Sequence, residues 1–410
     1  MKVCLLLLFM VLFYSSASAQ KKEWEKELVG AKSLTLINDS DGCVISGVFL
    51  GKLSFGGKSF TGSANSNVFL MKVNTSGEVV WLRLINLKGA PFELKMKRDS
   101  FHNYYFIYRE DGGTYLVKCN EQGEIKWEKF VITQGEQSYS EITDIAFDRN
   151  GCGYITGSFR GRLELGDNLN NARGRCTFVA KLDTFGRSIW AKEFGKGSGI
   201  GISVDQSENI IVVGILNGEL HFKNTKLESK KSDALIFKLD DKGNLLWAQS
   251  AGGSDRDIAF KVLTDIQGNN YVSGIYNGDA KFGKKTLKSK GGVDIFLTKI
   301  DSKGKFLWAE SFGTKADEAG SHLFLSDNGN CYLFSGFMGE DRGSDENQLP
   351  MKGKNLMIVD RGGKVIGSKE IKDAAYITMM NFTEEKIGEL YVLTIPSKRE
   401  NWKLIKYVNF

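Results

Sequence analysis

The chain has 410 residues, with 55 basic and 49 acidic side chains, 47 glycines, three prolines and a formal charge of +6. Length alone would admit two or three domains. A charge this mild on a chain this size does not point to nucleic acid, and three prolines leave no Pro-rich linker at which to divide it.

Residues 1–19 have the parts of a secretory leader: Lys2, the apolar run Cys4 to Phe13, and the small-residue end Ser16, Ala17, Ser18, Ala19. Cleavage is expected between Ala19 and Gln20. The run is too short to span a bilayer. Cys4 begins the run instead of following it, which counts against a lipid-modified anchor. The expectation is an exported chain without a transmembrane anchor, in the periplasm, at the cell surface or released. Five cysteines remain after cleavage: Cys43, Cys119, Cys152, Cys176 and Cys331. An odd number bars complete pairing, and the spacing fits no zinc or C-x-x-C pattern. Cys152 and Cys176 begin the two strands of one hairpin, so their separation is about 20 Å at the rise of a strand. Small buried thiols are expected.

From there the chain repeats one phrase, Asp/Asn-x-x-Gly-x-x-x-Trp. It runs Asn74…Gly77…Trp81, Asn120…Gly123…Trp127, Asp183…Gly186…Trp190, Asp240…Gly243…Trp247, Asp301…Gly304…Trp308, and a decayed Asp360…Gly363…Gly367. Trp24 supplies a further register mark. The steps between marks are 57, 46, 63, 57, 61 and 59 residues, a loose period that signals a repeat architecture. The spacing has a mechanical reason. Asp or Asn accepts from backbone amides of the turn, and Gly supplies positive φ for a turn closing through a bulge. The Trp then stands at one height in every unit, placed to pack between neighbouring sheets.

In residues 199–253, Gly201–Asp205, Ile210–Phe222, Ala234–Leu239 and Leu245–Ala248 read as extended runs joined by polar turns, with no helical period between them. The second run of each unit recurs at 43–47, 104–108, 153–157, 210–214, 271–274, 332–336 and 390–393. The third recurs at 68–73, 115–119, 177–182, 234–239, 295–300, 356–359 and 402–408. After Gly367 the chain supplies a first strand (376–380), a second and a third, then stops. Glu23–Leu28 resembles a missing fourth. The expected fold is therefore all-β. It is a seven-bladed β-propeller of four-stranded antiparallel blades over residues 20–410, its ring closed by the N-terminal strand completing the last blade.

The phrases DALIFKLDDKGNLLWAQSAGGSDRDIAFKV…GNNYVSGIYNG (233–277) and DIFLTKIDSKGKFLWAESFG (294–313) resemble the SBBP β-propeller repeats of exported bacterial proteins. That likeness implies a propeller, export and an interaction or scaffolding role, with no catalytic motif to carry over. Asp301-Ser302-Lys303-Gly304-Lys305-Phe306-Leu307-Trp308 is also similar to the tryptophan-docking motif of quinoprotein dehydrogenases and of quinone-free propellers in outer-membrane assembly. The dehydrogenases imply eight blades, an adjacent cysteine pair and a calcium site. Here the count is seven and no Cys-Cys occurs.

Candidate chemistry falls in three places. His102, His221 and His322 sit in different repeats at unlike positions, and only His322, on a first strand, is placed for an axial site. Asp257 and Glu318, with Asp255 and Asp317 beside them and Glu141 in a like place, recur where a fourth strand hands over to the next first strand. There they either ring a channel mouth, able to take a cation or polar ligand, or tie down backbone amides. Asn38–Gly42 lacks the later Glu of a calcium loop and reads as a turn. Loops between second and third strands are basic, with Lys223, Lys226, Lys230 and Lys231, then Lys284, Lys285, Lys288 and Lys290, and Arg160, Arg162, Arg173 and Arg175. This makes a face for an anionic partner or simply a soluble surface. It lacks the interleaved aromatics of a nucleic-acid site. The expectation is a non-enzymatic, monomeric module without cofactor or metal, which binds a protein or glycan at the cell envelope. The competing expectation is an enzyme with a polar or metal site at the axis, where Asp257, Glu318 and His322 share a ligand.

Overall fold

The computed structural model describes residues 21–408 except 40, 86–92, 111–112, 166–167, 223–224, 316, 320–321, 327, 339–350, 371–375, 383–388 and 396–400. Every regular element among them is a strand, and every strand pairing is antiparallel. Residues 1–19, read above as a leader, lie outside the described residues, as does Lys223.

One four-stranded meander recurs along the chain. The first runs from the later half of Lys21–Asp39 through Gly42–Phe55 and Lys58–Asn74 to Val79–Ile85. The second is Glu93–Arg98, Tyr104–Glu110, Gly113–Cys119 and the start of Ile125–Phe147. The end of that long strand opens the third, with Gly153–Leu165, Asn168–Leu182 and the start of Ser188–Val204. The fourth continues through Ile210–Leu216, Asp233–Leu239 and Leu245–Gly253. The fifth is Ile258–Thr264, Asn270–Phe282, Lys285–Ile300 and Phe306–Phe312. The sixth is Leu323–Leu325, Cys331–Met338, Met351–Val359 and Val365–Glu370. In the last, Tyr376–Phe382, Glu389–Ile395 and Trp402–Val408 are followed by Lys21–Leu28, which pairs with Trp402–Val408. Long strands that serve two meanders join these units into sheets of 12 and 14 strands.

The Asp-x-x-Gly turn forms as its chemistry requires. At Asp240 the Gly243 amide donates to the Asp240 carbonyl at 2.9 Å. Asp240 Oδ1 accepts from the amides of Lys242 (3.0 Å) and Asn244 (2.7 Å). Gly243 takes φ +74°, and the register slips between Lys238 and Leu239, marking the bulge. A second recurrent turn, between first and second strands, uses the same device at Asp148, Asp205 and Asp265. His102 (φ 63°) and Glu208 (φ 62°) hold the left-handed position there that Gly151 and Gly268 hold elsewhere, so His102 serves as a turn residue.

The core lies between neighbouring meanders rather than at one centre. Ile45, Phe69 and Leu28 pack with Tyr391 and Leu404, and Val44 and Leu70 pack with Tyr104 and Val117. Further round, Ile211 and Ile236 pack with Val272 and Phe296, and Tyr332 and Leu356 pack with Val392 and Ile405. Tryptophans clamp these joints. Trp190 Nε1 donates to the Asp241 carbonyl (3.0 Å), Trp247 to Ser302 (3.0 Å) and Trp308 to Arg361 (2.9 Å), each in the Asp-x-x-Gly turn of the next meander. A Cβ on Gly304 would lie 2.8 Å from the Trp247 ring, so that glycine provides both the positive φ and the seat for the indole.

Buried lysines add a polar layer. Lys238 Nζ meets Asp205 Oδ2 at 2.7 Å with both side chains nearly inaccessible, and Lys299 Nζ sits 4.6 Å above the Tyr271 ring. The described cysteines Cys43, Cys119, Cys152, Cys176 and Cys331 are all free thiols. Cys176 pairs with Phe159, at the far end of its hairpin from Cys152.

Candidate functional site

The junction carboxylates are held by their own backbone. Asp257 is buried, with Oδ2 accepting from the Gly253 amide (2.9 Å) and Oδ1 from the Asn277 amide (3.2 Å). Burial pushes its carboxyl up to about 6, with Asp233 and Asp255 adding to the effect. Asp233, also raised to about 6 by burial, keeps Oδ1 without a hydrogen-bond partner. The two carboxyls flank Gly252, where a Cβ would lie 2.5 Å from Asp257 Oδ2 and 2.8 Å from Asp233 Oδ1.

The next junction repeats the arrangement. Glu318 Oε1 accepts from the Thr314 amide (2.9 Å) and hydroxyl (2.6 Å), and burial raises its pKa. Asp317 Oδ1 accepts from the Val293 amide at 3.0 Å, and buried Asp294 lies beside Gly313. Among the described residues no group of three or more His, Cys, Asp or Glu side chains is arranged to hold a metal.

The basic loops divide between free ends and local pairs. Lys231 meets Asp255 at 2.8 Å near a strand junction, and Lys285 meets Glu310 at 2.7 Å beside the 282–285 turn. Lys226 reaches Glu219 and Glu228. Lys230 and Lys284 extend from exposed positions. Exposed pairs of this kind contribute about 0–1 kcal/mol, so these lysines remain available to a partner. His221 is exposed and paired with Glu219 at 2.8 Å.

His322 immediately precedes the first strand Leu323–Leu325 and is not part of it, its carbonyl accepting from the Phe334 amide at 3.0 Å. Its Nδ1 has no partner, and burial, with Lys261 nearby, lowers its pKa to about 4. Lys261 is near enough to act on its charge, while Asp257 accepts from Gly253 and Asn277 and Glu318 from Thr314.

The first strands bring together a cluster that the sequence did not single out. Lys97 Nζ meets Asp144 Oδ1 at 2.9 Å, Lys95 Nζ donates to the Thr143 carbonyl at 3.1 Å, and Asp144 Oδ2 accepts from the Ile202 amide at 3.3 Å. Lys261 lies against Lys97 and Asp144. Burial opposes charge on Lys97, but Asp144 outweighs it and raises its pKa. Lys261 goes the other way, lowered to about 8 by Lys97 and by burial. Ser203 and Thr264 share a hydroxyl contact of 3.2 Å across the same strands. A cavity of about 330 Å³ opens here, with Lys97, Asp148, Ser203 and Lys261 in its wall.

The signal that could have found this cluster is register. Asp144 pairs with Thr156, and Lys261 with Ser273, each just before the glycine of a second strand. The matching position carries Thr35 opposite Ser46, and Gly201 opposite Val213. Its residue type changes from repeat to repeat.

No family model matches the chain. Over 160 residues it is 25% identical to the regulatory protein FlaEY of Caulobacter vibrioides, a match covering 36% of this chain and 17% of that protein. Among solved structures it is similar to BamB from Moraxella catarrhalis, with a TM-score of 0.48 and 11% identity over 95% of this chain and 99% of that one. It is also similar to the Pan2 WD40 domain of Neurospora crassa, with a TM-score of 0.47 and 7% identity over 93% and 89% of the two chains. A protein of unknown function from Bacteroides caccae matches with a TM-score of 0.38 and 12% identity over 75% and 90%.

Proposed function

We propose that the mature chain is an exported seven-bladed β-propeller, closed by Lys21–Leu28 completing the blade that holds Trp402–Val408, and that it serves as a non-enzymatic binding or scaffolding module for a protein or glycan at the cell envelope. What supports the ring is the pairing of residues 21–28 with 402–408, together with the apolar cluster that joins Leu28 and Ile45 to Tyr391 and Leu404. The leader and the SBBP-like repeats support export.

One observation carries the binding role. The residues repeated from blade to blade are engaged in holding blades together, the tryptophans in turn carbonyls and the junction carboxylates in backbone amides. Recognition is thereby left to positions that differ between blades, chiefly the loops with Lys230, Lys231, Lys284 and Lys285. Such loops, carried on a rigid ring, are where a partner is read.

The test is retention of residues 20–410 on a glycan array and on envelope fractions at two salt concentrations. A saturable, salt-sensitive partner, lost when these four lysines are changed to Glu, is the expected result. Retention indifferent to both salt and charge reversal counts against the basic loops as the binding surface. A second reading, a polar site at the axis, has the Lys97, Asp144 and Lys261 cluster in its favour.

A further inference from the structure

We infer that the cavity between the first strands is a binding site for a small anion, a phosphate- or carboxylate-bearing compound held between Lys97 and Lys261 with Ser203 beside them. This goes beyond partner binding by the loops and uses none of the loop residues.

The wall sets Lys97, Arg98, Arg149 and Lys261 against two carboxylates, Asp99 and Asp148, whose Oδ1 atoms accept amides of their own turns. Lys95, Lys97 and Lys261 come from two strands far apart in sequence and meet a single carboxylate, Asp144. Asp144 is already committed to Lys97 at 2.9 Å and to the Ile202 amide. Lys261 makes no carboxylate ion pair among the described residues, and it shares the cavity wall with Lys97, whose charge acts on it. Two ammonium groups so placed repel, and the repulsion is strong where water is partly excluded. An anion between them removes it and gains two charge-assisted hydrogen bonds.

The neighbours fit that role. The cavity holds about 330 Å³, within the range of small-molecule sites. Ser203 offers a hydroxyl in its wall. His322, just before the next first strand, is held neutral by burial and by Lys261, so it adds no further positive charge. The lowered pKa of Lys261, set by Lys97 and by burial, agrees with the geometry.

The experiment uses residues 20–410, with inorganic phosphate as one probe and succinate as the other, each at ionic strength matched with sodium chloride. Heat of binding and thermal denaturation are both read. The expected result is saturable binding and a Tm that rises with at least one probe but not with chloride. The probe that works names the chemical class.

Lys261→Gln is expected to raise Tm in the absence of anion, because it removes the repulsion. It should also weaken binding at least about tenfold, the loss of one charge-assisted hydrogen bond. Lys261→Arg keeps the charge and should retain binding, and Lys284→Gln, on an exposed loop, should change neither quantity. Absence of saturable binding to both probes overturns the site, as does an undiminished response in Lys261→Gln. Because the loop variants leave this assay untouched, its failure leaves partner binding standing, and failure of partner binding leaves the anion site standing.

Discussion

Trp24 Nε1 donates to the Thr75 carbonyl at 2.8 Å, and its indole lies over Gly77, where a Cβ would come within 3.0 Å of the ring. Trp24 belongs to the strand that pairs with Trp402–Val408, and Thr75 to the first Asp/Asn-x-x-Gly turn. The contact therefore repeats, between the last meander and the first, the clamp that Trp190, Trp247 and Trp308 make between successive meanders. Lys406 Nζ reaches the same carbonyl at 3.3 Å.

Removing one clamp is expected to destabilise its joint in two separable steps. Trp247→Phe loses the indole donor and should cost about 1 kcal/mol. Trp247→Ala also loses the packing and should cost more, though less than the about 3–5 kcal/mol of a fully buried aromatic. Denaturant midpoints at constant slope measure both.

The glycine of each clamp should tolerate no side chain. Gly304 has φ +88° and the Trp247 ring 2.8 Å from its missing Cβ, so Gly304→Ala is expected to lose about 1–3 kcal/mol. Gly174 has no heavy atom within 4 Å of its Cβ position and no positive φ. Gly174→Ala should stay within about 0.5 kcal/mol of wild type. Equal effects at the two sites would contradict the clamp.

The buried acid pair makes stability depend on pH. Asp233 and Asp257 are each raised to about 6 in the fold, above the ordinary carboxyl range. A raised carboxyl contributes its full stability below the unfolded pKa and loses it as pH rises through the folded value. Asp233→Asn should therefore match wild type near pH 4 and exceed it by about 1–2 kcal/mol at pH 8. Unfolding curves at the two pH values check the sign, and a gain confined to low pH would contradict it.

One joint lacks its clamp. Gly367 stands where Trp308 stands one repeat earlier, and a Cβ there would meet only Ile358 of its own meander. In the last meander the third and fourth strands, Trp402–Val408 and Lys21–Leu28, are not consecutive in the sequence, so no Asp-x-x-Gly turn joins them to receive an indole. Val365–Glu370 is expected to exchange its amide hydrogens faster than Phe306–Phe312, its counterpart in the fifth meander. Equal protection of the two strands would show that the indole contributes little.

The fold was legible because its instructions repeat. Asp240, Gly243 and Trp247 recur at nearly fixed spacing, and a turn, a positive φ and a contact between meanders are local enough to be read from that spacing. The runs read as second and third strands all fall within strands of the structure. The second turn family was read only as polar turns, and its common form was not, because His102 and Glu208 stand in the glycine position. The cluster on the first strands was missed for the opposite reason. Lys97, Asp144 and Lys261 occupy positions where the repeats disagree, and only the folded arrangement of the first strands brings them together. Asp257 and Glu318 were noticed because they recur, and both accept backbone amides at their junctions.

The central claim is a ring closed between its first and last strands, and a cross-link tests it most directly. Glu27 pairs with Lys403 in the register, and Asn401 Nδ2 reaches Glu27 Oε1 at 2.8 Å. Partner residues in an antiparallel pair lie about 4.5–5.5 Å apart at Cα, within disulfide reach. In a variant carrying Glu27→Cys and Lys403→Cys, with the five native cysteines changed to Ala or Ser, oxidation is predicted to give an intrachain bridge. The product should be a monomer of altered mobility under denaturing, non-reducing conditions, with a higher Tm. Two free thiols after oxidation, or bridges only between chains, would contradict the closed ring.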